Sequence, residues 1–127
     1  MDLTLEKPGD HLFIRSVSAD GICVVDDLYR SPIILSASRI IVDWAAPAPN
    51  ELTESHMEPI LELEPEIVLL GTGARQVFLH PERLMLFYRR NIGVEVMSTD
   101  AACRTFNVLV SESRKVVAAL LPPSVTP

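Results

Sequence analysis

The sequence predicts an α/β domain in which an N-terminal antiparallel meander precedes a parallel β-α-β-α-β unit. Three observations carry that prediction. After residue 66, apolar runs of strand length alternate with amphipathic helical stretches, which is the pattern of parallel strands joined by helical crossovers. Before residue 45, short apolar runs follow one another with only turn signals between them. Between the two lies Ala45-Ala46-Pro47-Ala48-Pro49-Asn50, a proline-rich connector that breaks regular structure and marks the change of style.

In chain order, residues 1–11 form a loose lead-in with Lys7-Pro8-Gly9-Asp10 as a turn signal. Residues 12–17 and 22–25 read as strands around Asp20-Gly21, a hairpin signal because both central turn positions favour positive φ. Residues 29–35 and 39–44 read as two more strands. Pro32 lacks an amide donor, so its strand is expected at an edge or beginning near that proline. A helix capped by Thr53 follows, with Met57, Ile60 and Leu61 on one face and Glu54, Glu58 and Glu62 on another. Pro59 is expected to kink that helix or split it, since it removes a backbone hydrogen bond.

Ile67-Val68-Leu69-Leu70 is a short strand buried on both faces, and Gly71-Thr72-Gly73 then reads as a sharp turn with uncovered backbone. Residues 76–79 read as extended. A helix opens at Pro81, burying Leu84, Phe87 and Tyr88, with Met85 widening the stripe, and Asn91-Ile92-Gly93 stops it. Residues 94–97 form the next strand. Thr99 is the expected N-cap of a helix whose Ala102, Cys103, Phe106, Leu109 and Val110 share a face. Residues 115–121 form the last strand, closed by Pro122-Pro123, and residues 122–127 are a loose end. Residues 1–127 thus read as a single domain, long enough for a core without metals or disulfides.

The apolar fraction of 48% with 22% charged residues is that of a globular chain. No apolar run approaches the ~18 residues of a membrane span. The net charge of −6 argues against nucleic acid, whose phosphates need positive patches. That charge is uneven: residues 1–66 carry 13 acids and 4 bases, residues 67–127 carry 4 acids and 7 bases. It reads as solvation of the N-terminal loops, or more sharply as a bipolar surface that orients a protein partner. The first residues are acidic where a signal or transit peptide is basic, so a cytoplasmic location and free thiols at Cys23 and Cys103 are expected.

In open α/β sheets ligands collect where parallel strands end, which makes Gly71, Thr72 and Gly73 the first candidate contacts. A dinucleotide loop fails there, because it lacks a third glycine and a helix that starts at once; a Walker-type loop lacks its Gly-Lys-Ser/Thr. What remains is exposed turn amides that, with Arg75, hold a carboxylate or small anion, set against glycines that only let the chain turn near a helix. Thr99, Arg104 and Asn107 should lie close by. Asp100 would repel an anion at that helix start, and its simpler role is pairing with Arg104 one turn on. Asn107 is a mediocre helix former, expected to bond a neighbouring loop or to line a pocket mouth beside the glycine turn. Cys103 falls on the buried stripe and should be inert. His11, His56 and His80 are too scattered for zinc, no Cys-x-x-Cys or Gly-x-Ser-x-Gly occurs, and no cofactor is implied.

Gly71-Thr72-Gly73 after an apolar strand, Gly93-Val94-Glu95-Val96, then Thr99, Ala102, Phe106 and Asn107 before a hydrophobic final strand, with Trp44 upstream, carry a resemblance. The chain resembles a family of small domains of uncharacterised function that includes a mitochondrial respiratory complex I assembly factor and an adipogenesis-associated Mth-type domain protein. The resemblance implies a three-layer mixed α/β domain and does not imply an enzyme. The expected function is a non-enzymatic binding or assembly module acting through protein partners, with a homodimer as one form of such contact. The alternative is a small-molecule or anion binder, or an enzyme, using the glycine turn.

Overall fold

A computed structural model describes residues 11–124. The lead-in at residues 1–10 and the tail at 125–127 lie outside the described residues. A three-stranded antiparallel sheet is formed by β1 (Ile14–Ser18), β2 (Gly21–Val24) and β3 (Asp27–Tyr29). The central sheet contains β4 (Ile33–Leu35), β5 (Ile40–Ile41), β6 (Ile67–Thr72), β7 (Gly93–Met97) and β8 (Val116–Leu121), in the order β5-β4-β8-β6-β7. Strand β6 runs parallel to both β7 and β8, while β4 is antiparallel to β8 and to β5. The helices are α1 (Glu54–Leu61), α2 (Met85–Tyr88) and α3 (Thr99–Ser111). The parallel β-α-β-α-β unit is as the alternation requires.

Three layers result from the apolar strands of the central sheet needing cover on both sides. Val68, Leu70, Val117, Ala119 and Leu121 face a core closed by Met57 and Ile60 of α1, Phe87 of α2, Trp44 and Leu79. Leu69, Val116, Ala118 and Leu120 face the opposite core, closed by Ala102, Cys103, Phe106 and Val110 of α3 and by Ile14, Ile22 and Val24 of the small sheet.

The meander is divided between two sheets. The chain leaves β3 at Tyr29, and Pro32, which has no amide to give, precedes the three buried residues of β4 in the central sheet. At the first hairpin Ser18 pairs with Gly21, so Ala19-Asp20 form the turn and neither takes positive φ. Gly21 is needed for another reason: it sits at φ 139°, and a Cβ there would lie 2.3 Å from the Tyr29 carbonyl oxygen.

Helix α1 is capped by Thr53, whose amide donates to His56 Nδ1 at 3.0 Å. It runs through Pro59 as one element instead of splitting. Ser55, whose carbonyl Pro59 leaves without a helical donor, is exposed, while Met57 and Ile60 hold the helix by burial. The stretch from Pro81 to Leu84 is a 3-10 turn, and only Met85–Tyr88 is α-helical. Its tighter winding rotates the residues that follow, so Leu86 and Phe87 are buried while Met85 and Tyr88 are exposed. Asn91, at φ 57°, ends α2 with Asn91 N donating to Tyr88 O and Ile92 N to Phe87 O, both at 3.0 Å; Gly93 opens β7. Residues 76–79 form no strand. The N-cap of α3 is Ser98, whose hydroxyl accepts from Ala101 N; Thr99 is the first helical residue and fully buried.

Candidate functional site

The corner where β6 ends is closed, not bare. Gly71 and Thr72 belong to the strand, and Gly71, Thr72 and Gly73 are all buried. Thr99 is the reason. Its hydroxyl accepts from Gly73 N at 2.8 Å and donates to the Leu121 carbonyl at 2.5 Å, while its own amide donates to Gly73 O at 2.9 Å. One side chain therefore ties the end of β6, the start of α3 and the end of β8. Gly71 lies directly beneath it: a Cβ at Gly71 would approach Thr99 Oγ1 to 2.9 Å and Leu120 Cδ2 to 3.0 Å. Glycine is required here for close packing of helix on strand. Thr72 does similar work, its hydroxyl donating to Arg75 O at 2.6 Å, with Met97 O at 3.1 Å sharing the same proton, and accepting from Val77 N at 3.1 Å.

The amide of Gly73 is thus already bonded, and so is that of Val77. Arg75, the charge expected to assist an anion, is exposed on the loop that leaves this corner. Among the described residues, every buried side-chain nitrogen and oxygen has a hydrogen-bond partner. The structure brings Gly71, Thr72, Gly73 and Thr99 into one hydrogen-bonded knot with Arg75 on its rim.

Arg104 and Asn107 are not part of that knot. Arg104 pairs with Asp100 on the exposed side of α3, as the spacing predicts. Asn107 bonds a strand of the small sheet: Oδ1 accepts from Ile14 N at 2.8 Å and Nδ2 donates to Ile14 O at 2.8 Å. Its amide mimics a neighbouring strand where β1 is irregular, between Ile14 and Ser16. Its side-chain amide is thus turned to β1 and not to the glycine corner. The Cys103 thiol is buried, and desolvation, with Asp100 adding to it, pushes its pKa up to about 12, which leaves it protonated and inert. No group of three or more His, Cys, Asp or Glu side chains suited to a metal occurs among the described residues.

Phe78 was not legible as a surface feature. Within Gln76-Val77-Phe78-Leu79 it reads as part of an extended apolar run, yet it is 74% exposed, its ring edge-on to His80 at 5.4 Å between centroids. Leu79 beside it is buried and anchors the loop. Gln76 Nε2 donates to Val96 O at 3.1 Å, laying the same loop against β7. Two clefts open elsewhere, one of about 330 Å³ at the C-terminal end of α3 and one of about 230 Å³ beside Tyr29 and Asp43. Neither is lined by Gly71, Thr72, Gly73, Arg75, Thr99, Arg104 or Asn107.

These features define a three-layer mixed α/β domain whose strand-end corner is closed by its own threonines. The chain belongs to the family described as "Protein of unknown function (DUF498/DUF598)", which matches residues 14–121. It is 37% identical over 114 residues to the Mus musculus protein named NADH dehydrogenase (ubiquinone) 1 alpha subcomplex assembly factor 3, covering 88% of this chain and 61% of that protein. The chain therefore spans about three fifths of the length of that relative. A crystal structure of a Bordetella parapertussis protein superposes with a TM-score of 0.83 at 34% identity, over 88% of this chain and 96% of that one. A Bordetella pertussis structure described as a Mth938-like domain gives 0.79 at 27% identity, over 91% and 88%. The resemblance read from the sequence is to this family, and the fold it implies is the fold observed.

Proposed function

We propose that this chain is a non-enzymatic module that helps assemble a multi-subunit complex through protein–protein contacts, with subunits of NADH dehydrogenase as its partners. The relative's name supports the assembly role and supplies the class of partner. The observation that carries the reading is Phe78: a large apolar ring, three-quarters exposed, on a loop anchored by Leu79 and by the Gln76–Val96 bond. An aromatic side chain held out from a fixed loop suits a contact residue, which gains most by entering a partner's pocket. Arg75 on the same loop supplies a charge at the contact's rim. The alternative of an anion on the glycine turn has less support, since Thr99 and Thr72 already occupy the corner's Gly73 and Val77 amides. We also place the chain in a cytosol-type compartment, in keeping with its two free cysteines.

The test is affinity capture from the native cell with the tagged wild-type chain and its Phe78→Ser and Arg75→Glu variants. Both side chains are exposed, so folding should survive either change. The reading expects NADH dehydrogenase subunits with the wild type, recovered about tenfold less with Phe78→Ser, the loss typical of an aromatic anchor. Equal recovery by all three chains, or no such subunits with any, contradicts it.

A further inference from the structure

At the end of the molecule where α3 finishes and β8 begins, the central sheet leaves a gap beside β4 and β8. Strand β4 stops pairing with β8 at Leu35, opposite Ala118, but β8 runs back a further two residues to Val116. Over that stretch β8 is hydrogen-bonded as a ladder only to β6. The turn from 36 to 39 swings away instead, held by Ser36 N to Arg39 O at 2.8 Å and by Ser36 Oγ accepting from Arg39 N at 3.0 Å. The result is the cleft of about 330 Å³, whose apolar lining comes from Ala37, Leu63, Val110, Val116 and Val117. That volume matches the small end of binding pockets for organic molecules.

The walls of the cleft are chemically one-sided. Ser36, Ser38, Ser111 and Ser113 line it, the Ser111 hydroxyl already donating to Val108 O at 2.7 Å, and Arg114 and Lys115 bring two positive charges. His11 adds an imidazole, and among the described residues no Asp or Glu lines it. The cleft thus sets cations, with no lining carboxylate among the described residues, against a chain net charge of −6. Lys115 forms no ion pair among the described residues, and Arg114 is drawn only loosely to Glu66, at 3.7 Å.

One feature of the fold opposes an anion here, the negative end of the α3 dipole. It is muted because the last carbonyls already accept: Val108 O from Ser111 Oγ at 2.7 Å, Leu109 O from Glu112 N and Arg114 N, and Val110 O from Ser113 N at 3.0 Å. Ser113, at φ 63°, makes the reversal that closes these bonds and carries the chain on to Arg114 and Lys115 at the cleft wall.

We propose that this cleft binds a small organic anion, a phosphate or carboxylate carried on a short apolar body. The anionic group meets Arg114, Lys115, Ser38 and Ser113, and the apolar body lies against the apolar lining. The site is distinct from the Phe78 loop and does not depend on the protein partner.

The test is a titration of the isotope-labelled full chain followed by amide chemical shifts, with phenyl phosphate, benzoate and inorganic phosphate as probes. Expected are shifts confined to the cleft lining, residues 11, 36–38, 63 and 110–117, tighter binding of phenyl phosphate than of inorganic phosphate, and a loss of about tenfold or more in Lys115→Glu. Comparing phenyl phosphate with benzoate tells which anionic group the cleft prefers. Arg30→Glu, which reverses an exposed charge outside the cleft, should leave the affinity unchanged. No localised shift with any probe overturns the proposal, and so does equal weakening by Lys115→Glu and Arg30→Glu, which marks unspecific charge attraction.

Discussion

Replacing Thr99 with Val keeps the shape of the side chain and removes the one hydroxyl that joins β6, α3 and β8. Two groups then lose a partner: the Gly73 amide, now bonded at 2.8 Å, and the Leu121 carbonyl, at 2.5 Å. Thr99 is fully buried, so water does not replace the hydroxyl. Leaving a buried donor or acceptor unsatisfied costs about 1–3 kcal/mol each, so the variant should lose roughly 2–6 kcal/mol. For a domain of this size each kcal/mol lowers the melting temperature by about 4 °C, which places the fall at roughly 8–24 °C. Thr99→Ser keeps both bonds and forfeits a methyl group, a loss of only about 1 kcal/mol. The assay is thermal unfolding of the two variants beside the wild type, followed by circular dichroism. If Thr99→Val melts at or above Thr99→Ser, the hydroxyl is not what closes the corner and the structural account of Gly71, Thr72, Gly73 and Thr99 fails.

Three further outcomes follow from the same contacts. Asn107→Ala removes both bonds to Ile14 and should cost about 1–3 kcal/mol, with faster hydrogen exchange of the Ile14 amide as the specific sign; an unchanged melting temperature would contradict it. Arg83 Nη1 donates to Asn50 O at 2.7 Å and Leu52 O at 2.8 Å, so Arg83→Met should destabilise the chain by about 1–2 kcal/mol in denaturant unfolding. The Cys103 thiol, raised from 9.0 to about 12, stabilises the fold below the unfolded pKa and loses that contribution as pH rises from 9 towards 12, because the unfolded chain ionises first. Cys103→Ala should therefore flatten the decline in stability above pH 9, and an identical decline in both proteins would refute the assignment.

How legible each feature was depends on how local its cause is. The parallel unit was readable because Ile67-Val68-Leu69-Leu70 and Val116-Val117-Ala118-Ala119-Leu120-Leu121 are apolar on both faces, which only a covered central sheet explains. The Asp100–Arg104 pair follows from helical spacing alone. The division of the meander was not readable, because whether the chain changes sheets after Tyr29 depends on β8, some ninety residues on. Thr99 was misplaced for a similar reason: a threonine beside Ser98 fits an N-cap, and its actual bonds reach residues 73 and 121. A uniform 3.6-residue period buries Tyr88 in place of Leu86, whereas the stretch begins as a 3-10 turn. Phe78 could be recognised only once residues 76–79 proved to form no strand.

The most direct measurement on the proposed function is hydrogen exchange of the chain alone and bound to the NADH dehydrogenase subunit it captures. Binding should slow exchange across residues 74–80, around Phe78, while residues 36–38 and 111–117 exchange as in the free chain. Protection that leaves the Phe78 loop untouched and falls elsewhere would show that the partner meets a different surface.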